Sequence, residues 1–379
     1  ESLLRSVSAN TVRGRFHRLA IGNATLTPYQ FSYILPAVGS ADNLVELTFE
    51  VEPDSKPPSN VHVLIGRNGV GKTRVLNGIQ AFLADVSSDS TGKLLLQGVD
   101  EGNGDFLGLV TVSFSAFDDF APIVRSISDK SRLKFAYIGL KRDRLMQGDA
   151  TSPPKSLDEL AHDWVESVVR ISNSARRSQY SLLLRTLESD PLFSELEIET
   201  RLASIEPGDL HVFYKKLSSG HKIVLLTITR LAELVEERTL VLLDEPEAHL
   251  HPPLLSAFTR ALSSLLSARN GVAIVATHSP VLLQEVPKRC AWVMQRSGSQ
   301  ARVDRPTIET FGENTGILTR SVFTLEVTQS GYHAMLRELV DENPGATFPR
   351  LISDLREQLG AEGRSVLQAL IFGSEVRGD

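Results

Sequence analysis

A glycine-rich segment between an apolar run and a helical pattern constrains this chain most. The segment Gly66–Thr73 reads Gly-Arg-Asn-Gly-Val-Gly-Lys-Thr and directly follows the apolar run Val61–Ile65. After it, residues 73–85 carry apolar side chains at helical spacing. Glycines at such a turn let successive backbone N–H groups point inward, and the positive end of the following helix adds to the field. The segment therefore predicts a strand, an anion-binding loop and a helix, in that order.

Two side chains at the end of the segment suit a nucleoside triphosphate and its metal ion. The Lys72 ammonium can reach the β and γ phosphates, and the Thr73 hydroxyl can ligate Mg²⁺. The alternative is a glycine-rich turn that matches the spacing by chance. The candidate nucleotide-binding residues here are Gly66, Arg67, Asn68, Gly69, Val70, Gly71, Lys72, Thr73 and Arg74.

A second apolar run, Thr239–Leu243, ends in two adjacent carboxylates. Asp244 is placed to hold Mg²⁺ through water, and Glu245 can accept a proton from the attacking water or orient it. Both acids would otherwise be solvated turn residues. The hydrolytic role is favoured because Pro-Glu-Ala-His-Leu-His-Pro follows at residues 246–252, an arrangement that matches a known class.

A third apolar run and a helix start complete the set of candidate residues. Val272–Thr277 precedes His278, whose neutral imidazole can hydrogen-bond the γ-phosphate or the attacking water. An isolated histidine at a strand end is otherwise more often structural. The small residues Ser218, Ser219 and Gly220 open a helix and leave N–H groups uncovered, which predicts an anion site, with a plain N-cap as the alternative.

Composition narrows the class of protein. Among 379 residues, 40 Lys and Arg stand against 46 Asp and Glu, so the net charge is -6 and the chain is not a polycation that coats nucleic acid. The one cysteine, Cys290, excludes an intramolecular disulfide framework and indicates a reducing compartment. Apolar stretches such as Ile223–Ile228 are far shorter than the roughly 20 residues of a membrane span. We therefore expect a cytoplasmic protein with no membrane-crossing segment.

The order of elements predicts an α/β fold. Alternating residues at 45–51 predict half-buried antiparallel strands, and helices alternating with buried strands after Leu217 predict a parallel sheet. Residues 87–105 are expected to form a loop or an irregular hairpin. We expect an N-terminal β subdomain with the phosphate-loop half of the core, an inserted mainly helical lobe, the second half of the core and a C-terminal helical segment, at residues 1–120, 121–216, 217–325 and 326–379.

The order of these motifs resembles that of the ABC-type ATPases, especially the soluble SMC, RecF and OLD-like branch. The resemblance covers residues 45–280, with Leu-Ser-Ser-Gly at 217–220 between the inserted lobe and the acidic strand. It implies an ABC-ATPase head with a mixed, largely parallel sheet flanked by helices. It also implies an ATPase that uses Mg²⁺, held by Thr73 and Asp244.

In that family, ATP is sandwiched between the phosphate loop of one subunit and the Leu-Ser-Ser-Gly segment of another. The resemblance therefore implies at least a homodimer, with Ser219 and Gly220 acting in trans. It also implies that Lys72, Glu245 and His278 are the catalytic residues.

Finer details resemble the compact ATPases of bacterial anti-phage systems, above all the Septu ATPase, PtuA, which is also found with some retrons. These details lie in the segments 244–252, 113–118, 137–141 and 311–314. The Septu ATPase works beside an HNH nuclease, so the resemblance implies such a partner and contact with nucleic acid through the complex. One departure is that the family's usual glutamine after the core strand is not obvious, because Ser113–Asp118 occupies that region.

Weaker features leave alternatives open. Residues 125–144 contain seven basic and two acidic residues, which could contact a phosphate backbone or form a solvated face. His249 and His251 could chelate a metal, but their place directly after Glu245 favours a role at the subunit boundary. The apolar residues Leu351, Ile352, Leu355 and Leu359 are expected to pack on the head, with a partner surface as the alternative.

The main hypothesis is an ATP-hydrolysing subunit of a prokaryotic defence complex, in which nucleotide closes pairs of heads and regulates a partner nuclease. No intrinsic nuclease is expected, because the sequence after Pro280 lacks the acidic cluster that a Toprim nuclease needs. The alternatives are a RecF-like repair ATPase that clamps DNA directly, a nucleotide-gated scaffold with little turnover and a transporter's nucleotide-binding subunit.

Overall fold

Two sheets organise the first part of the molecule. The computed structural model describes residues 26–36, 45–86, 91–97, 106–114, 133–142, 153–204, 207–297, 300–327 and 331–375. The strands in these ranges are β1 (Tyr29–Ile34), β2 (Glu46–Val51), β3 (Val61–Gly66), β4 (Lys93–Gln97), β5 (Gly108–Ser113), β6 (Lys134–Gly139), β7 (Thr239–Asp244), β8 (Val272–Thr277), β9 (Ala291–Ser297) and β10 (Gln300–Asp304).

The larger sheet has seven strands in the order β10-β9-β3-β8-β7-β5-β6. Its neighbours pair in parallel except for the antiparallel pair of β9 and β10. Every residue of β3, β5, β7 and β8 is buried, as expected for strands covered on both faces. The predicted α/β class with a mixed, largely parallel sheet is confirmed.

The smaller sheet is antiparallel, with the order β2-β1-β4. Phe31 of β1 lies opposite Phe49 of β2, and their stacked rings are 4.9 Å apart between centroids. The strand β4 falls within residues 87–105, where a loop or an irregular hairpin was expected. A strand forms there because Leu94, Leu95 and Leu96 pair with β1, although polar residues and Gly92 surround them.

Helices make up most of the other described elements, and those within residues 157–216 are called the lobe helices. The helices are α1 (Lys72–Leu83), α2 (Leu157–Ser172), α3 (Arg177–Leu187), α4 (Pro191–Ser194), α5 (Ile198–Ser204), α6 (Pro207–Lys216), α7 (Ser219–Leu234), α8 (Pro252–Arg269), α9 (Pro280–Gln284), α10 (Thr315–Val327), α11 (Tyr332–Glu342), α12 (Phe348–Asp354) and α13 (Ala361–Glu375), with short 3-10 turns at Pro246–His249 and Lys288–Cys290.

One apolar core joins the two sheets through α1. Leu76 and Ile79 of α1 are buried in a cluster with Phe49 of the small sheet and with Leu64 and Ile274 of the large sheet. This packing fixes the start of α1 relative to β3, which precedes it. The phosphate-loop segment therefore connects two elements that are each anchored in the core.

The lobe helices pack directly on α7. The Trp164 indole of α2 donates a hydrogen bond to Thr229 Oγ1 of α7 at 3.1 Å, and the Tyr180 hydroxyl of α3 lies 2.8 Å from the same oxygen. Arg176 donates to the carbonyls of Ala232 and Val235 at the end of α7. These bonds satisfy carbonyl groups that a helix end otherwise leaves without partners.

The strand β6, at residues 134–139, belongs to the seven-stranded sheet and precedes the helices in the expected lobe region.

The chain divides into two units, Glu1–Thr315 and Gly316–Asp379. The second unit has its own apolar core, formed by Leu336, Leu351, Ile352 and Leu367. The apolar residues Leu351, Ile352, Leu355 and Leu359 pack within this core. The expectation that they pack on the ATPase head stays a prediction. Across the ranges described above, no helix is both long enough and apolar enough to span a bilayer.

Candidate nucleotide-binding site

Three neighbouring strands end at the same edge of the large sheet. β3, β8 and β7 are adjacent and parallel, and Asp244 at the end of β7 pairs with Ala276 near the end of β8. Ile65, one residue before the end of β3, pairs with Thr277. The glycine-rich loop, the two acids and His278 therefore meet, although about 200 residues separate the first motif from the last.

The loop needs its glycines for two different reasons. Gly69 and Gly71 have φ values of 80° and 106°, a region that side chains disfavour. A Cβ at either position would meet no heavy atom within 4 Å, so the space in front of the loop is open. At Gly66, in contrast, a Cβ would lie 2.3 Å from the Met294 carbonyl oxygen. The backbone is thus shaped as a cradle, and its open side fits a phosphate group.

Lys72 is buried and held by the loop itself. Its side chain is 4% exposed, and Nζ donates to the carbonyl oxygens of Gly66 and Arg67 at 2.9 Å each. The same Nζ lies 3.7 Å from Glu245 Oε1. Gly71 caps α1 without any side-chain hydrogen bond, so the first turn of α1 presents its N–H groups beside the ammonium. The loop therefore concentrates positive charge at one place.

Thr73 and Asp244 form the oxygen-rich part of the site. The Thr73 hydroxyl donates to Asp244 Oδ2 at 2.8 Å. Asp244 is buried at the end of β7. A hydroxyl and a carboxylate side by side are ligands that Mg²⁺ prefers. These two residues fit a magnesium ion, and they are the residues that would hold it.

Glu245 adopts a strained backbone conformation. Its φ and ψ are 45° and 56°, the left-handed region that non-glycine residues rarely occupy. Its N–H donates to the Ala276 carbonyl at 2.9 Å, so the strand pairing with β8 continues up to this residue. The side chain lies between Lys72 and His278, whose Nδ1 is 3.6 Å from Glu245 Oε1. The carboxylate is 28% exposed and so reaches solvent at the edge of the site.

A further acid, Glu247, contacts the end of β8. Its Oε1 accepts from the Thr277 hydroxyl at 2.5 Å and from the His278 N–H at 2.8 Å, and it lies 3.2 Å from His278 Nδ1. The sequence pattern gave no role to Glu247. The only indication of one was its position, because it is an acid two residues after Glu245 in the turn that begins at Pro246.

The segment around Gly220 lies against the turn that follows Glu245. Ser218 caps α7 by accepting from the His221 N–H at 3.3 Å, as the plain N-cap reading expected. A Cβ at Gly220 would lie 2.6 Å from the His249 carbonyl oxygen, so glycine is needed for this close approach. The predicted action of Ser218, Ser219 and Gly220 on a nucleotide of a second subunit stays a prediction.

His221 and His251 lie near the buried carboxylate of Asp190. His251 Nε2 is 2.8 Å from Asp190 Oδ2, which joins the turn after Glu245 to the lobe. Burial lowers the pKa of His221, Asp190 opposes this shift, and His251 adds to it. In the part of the chain that the structure describes, no group of three or more His, Cys, Asp and Glu side chains could hold a metal ion. The predicted role of His249 and His251 at a subunit boundary stays a prediction.

The remaining predicted residues differ in exposure, and some lie outside the described ranges. Arg67, Asn68 and Arg74 are exposed, whereas Val70 is buried. Ser113 ends β5 in register with Asp244, and residues 115–118 lie outside the described ranges.

Part of the basic segment 125–144 is described. Lys134 contacts Glu236, and Arg142 contacts Glu159, each at 2.9 Å. Arg125, Lys130, Arg132 and Arg144 lie outside the described ranges.

Strand β9 also contributes to the loop, which the sequence did not reveal. Arg296 Nη1 donates to the Gly69 carbonyl at 3.4 Å, and the Met294 carbonyl contacts Gly66. Neither residue belongs to a motif. Only the pairing of β9 with β3 brings them to the loop.

Comparison with known proteins finds sequence matches at two levels. Residues 103–284 match the family described as "AAA domain, putative AbiEii toxin, Type IV TA system". Protein ea59 of Escherichia phage lambda is 40% identical over 400 aligned positions, which cover 99% of this chain and 74% of that protein.

Two solved structures are weakly similar. One is "An inward-facing conformation of a putative metal-chelate type ABC transporter", at 15% identity and a TM-score of 0.36, covering 78% of this chain and 89% of that chain. The other is the ADP conformation of an ATP-binding cassette of an ABC transporter, at 13% identity and a TM-score of 0.35, covering 69% and 85%. The match to protein ea59 spans nearly the whole chain. The chain therefore belongs to the family of phage lambda protein ea59, and it carries an AAA-type, ATPase-like nucleotide-binding domain.

Proposed function

We propose that this protein binds ATP at the carboxyl edge of the large sheet and hydrolyses it. The observation that carries the proposal is the junction of the two motifs: Thr73 Oγ1 donates to Asp244 Oδ2, while Lys72 Nζ and Glu245 Oε1 lie 3.7 Å apart. Phosphoryl transfer to water requires a loop that binds the phosphates, a lysine, oxygen ligands for a metal ion and a carboxylate that water can reach. The junction brings all four together.

Each side chain has a separate task in this reaction. The loop N–H groups and Lys72 bind the phosphates and stabilise the charge that develops on them. Glu245 accepts a hydrogen bond from water and takes its proton as the water oxygen attacks the γ-phosphorus and the bond to ADP breaks. His278, beside Glu245, hydrogen-bonds the water or the γ-phosphate. Thr73 and Asp244 would hold Mg²⁺, which would neutralise charge on the phosphates.

The reaction is tested best by separating binding from turnover. Glu245→Gln keeps the shape of the side chain but removes its basicity, so we expect kcat to fall about 10³-fold while ATP binding is retained. The matched control is Glu166→Gln, which changes an exposed glutamate of α2 and leaves turnover unchanged. Unchanged hydrolysis in Glu245→Gln would refute the role of Glu245, and a wild-type chain that binds no ATP would refute the function.

The resemblance to ABC-type ATPases extends the proposal to a homodimer. Two chains close on ATP, with Ser219 and Gly220 of one chain facing the phosphate loop of the other. Sedimentation of Glu245→Gln with and without ATP tests this, because a variant that binds but does not hydrolyse accumulates the closed dimer. A single chain at saturating ATP would contradict the dimer but not the nucleotide site.

The narrower part of the proposal is a cytoplasmic defence ATPase that regulates a partner HNH nuclease. It is supported by the resemblance of residues 244–252 to the Septu ATPases. Co-expression with the product of the neighbouring reading frame tests the partner. Nucleic-acid cleavage that depends on both proteins and on ATP is the expected result, whereas ATP hydrolysis stimulated by DNA with no partner present would favour a protein that clamps DNA directly.

A further inference from the structure

We propose that Glu247 is a positioning residue that fixes the placement of His278 for ATP hydrolysis, an inference that rests on the proposed function. Glu247 lies in the 3-10 turn Pro246–His249, directly after the acidic strand end, and its side chain is 7% exposed. It therefore reaches inward to the neighbouring strand end, whereas His278 lies at the surface with 48% of its side chain exposed.

Three contacts converge on one oxygen of Glu247. Oε1 accepts from the Thr277 hydroxyl and from the His278 backbone N–H, at 2.5 and 2.8 Å, and lies 3.2 Å from His278 Nδ1. Thr277 Oγ1 in turn accepts from the Ser279 N–H at 2.9 Å. The Glu247 carboxylate thus contacts both the main chain and the ring of His278. Without these contacts, an exposed histidine at a strand end would be free to change its side-chain conformation.

The second oxygen of Glu247 indicates that this placement has a cost. Within the described residues, Oε2 is buried and makes no hydrogen bond. Leaving a buried acceptor unpaired destabilises a fold, so a buried carboxylate of this kind calls for an explanation other than stability. Its position beside the histidine of the site supplies that explanation.

The contact also fixes which ring nitrogen faces the reacting atoms. A carboxylate only accepts hydrogen bonds, so the contact with Glu247 favours a proton on Nδ1 of His278. Nε2 is then the nitrogen left to interact with water or phosphate. Glu247 also lies closer to Nδ1 than Glu245 does, at 3.2 against 3.6 Å. The ring is therefore held by Glu247, and Glu245 stays available to accept a proton.

An activity-independent measurement tests the placement first. The full-length chain is labelled with ¹⁵N-histidine, and the His278 ring signals are identified by their loss in His278→Ala. Because Glu245 is also near Nδ1, spectra are recorded for Glu245→Ala and for Glu245→Ala/Glu247→Ala. We expect the first to keep the proton on Nδ1 and the second to lose this preference. Identical ring signals in the two would overturn the proposal, whether or not the chain hydrolyses ATP.

A kinetic measurement tests the consequence. Glu247→Ala is expected to lower kcat about 10- to 100-fold with little change in the KM for ATP, as expected for a misplaced group at a reaction centre. Glu247→Gln, whose carbonyl can still accept from Nδ1, is expected to restore most of the activity. In a His278→Ala background, adding Glu247→Ala should have almost no further effect. An equal loss with and without His278 would overturn the proposal.

A matched control separates positioning from general support of a loop. Glu309 Oε1 also accepts from backbone N–H groups, but from those of Lys288, Thr310 and Phe311. Glu309→Ala should leave the His278 ring signals unchanged. If Glu247→Ala does not fold, Glu247→Asp, whose carboxylate is one methylene shorter, replaces it in both measurements with the same expected directions.

Discussion

The two ends of the parallel strands in the large sheet use polar residues in opposite ways. Before β3, Asn60 is buried, donates to the Gly271 carbonyl at 2.6 Å and accepts from Ser267 Oγ at 3.0 Å. His62, also buried, has Nε2 3.2 Å from the Glu50 carbonyl oxygen. At the carboxyl end, Glu245 is strained and His278 is about half exposed between two carboxylates.

The contrast separates the residues that stabilise the sheet from those that form the candidate site. Asn60 joins chain segments by neutral hydrogen bonds, and its loss should affect folding alone. The polar groups at the carboxyl end bring charges together, tolerate strain and open to solvent, and these are features of sites that bind and react. Variants at the two ends should therefore separate activity from stability.

Of the variants that compare the two ends of the sheet, Lys72→Ala should have the largest effect, and this effect is on turnover. Removing the ammonium beside the phosphate cradle should lower ATP turnover about 10²- to 10³-fold, since a positioned charge in such a site contributes strongly to transition-state stabilisation. Steady-state phosphate release measures it, and thermal unfolding should stay near that of the wild type. Lys134→Ala, which removes a half-exposed lysine paired with Glu236, is the control and should keep full activity. Full turnover in Lys72→Ala would contradict the assignment of activity to the carboxyl end of the sheet.

At the other end of the sheet, Asn60→Ala should affect stability only. It leaves the Gly271 carbonyl and the Ser267 hydroxyl without this partner, so the free energy of unfolding should fall by about 2 kcal/mol. Urea unfolding measures the loss, and kcat should not change. Asn173→Ala, which removes an exposed side chain bonded to the Val169 carbonyl, should cost much less. A loss of activity larger than the loss of folded protein would contradict the division.

The pH dependence of stability gives a second test that His62, near the amino end of β3, affects stability. Burial, and then the charge of Arg305, lower the pKa of His62 from 6.5 to about 3. Between these values the unfolded chain binds a proton that the folded chain does not, so stability falls as the pH falls. The expected contribution is about 1.4 kcal/mol for each pH unit. The stability that neutral His62 contributes is fully present above pH 6.5, and it is lost progressively as the pH falls towards 3.

Urea unfolding across this pH range measures the contribution. His62→Gln should show a weaker pH dependence than the wild type, whereas His162→Gln, at a side chain that is 69% exposed, should not. Parallel pH profiles for the wild type and His62→Gln would show that His62 is not held neutral.

The smallest effect is expected for an ion pair on the lobe surface. Arg185 Nε lies 2.9 Å from Glu199 Oε2, and its side chain is exposed. Solvent screens such a pair, so Arg185→Ala should lower the free energy of unfolding very little and leave turnover unchanged. A large loss of activity would show that the lobe surface takes part in the reaction.

The sequence predicts those parts of the molecule that local chemistry determines. The strand, loop and helix from Val61 to Leu83 follow from apolar residues and glycines that stand next to each other in the chain. The buried strands β7 and β8 follow from their apolar runs. The parts it missed depend on tertiary contacts: β4 forms because β1 offers it an edge, and Arg296 meets the loop because β9 pairs with β3.

The site itself could be predicted only in part, for the same reason. Sequence patterns indicated Lys72, Asp244 and His278 because each follows a recognisable run. Glu247 has no such signal, since its partners at the end of β8 lie about 30 residues away in the chain. The strained backbone of Glu245 likewise becomes visible only in the fold.

Nucleotide binding at the carboxyl edge is the central claim, and a calorimetric titration with ATP and Mg²⁺ tests it most directly. The full-length chain, Lys72→Ala and Asn60→Ala are titrated side by side. The account predicts one nucleotide per chain for the wild type and for Asn60→Ala, and at least a tenfold weaker affinity for Lys72→Ala. No binding to the wild type, or equal affinities for the wild type and Lys72→Ala, would contradict it.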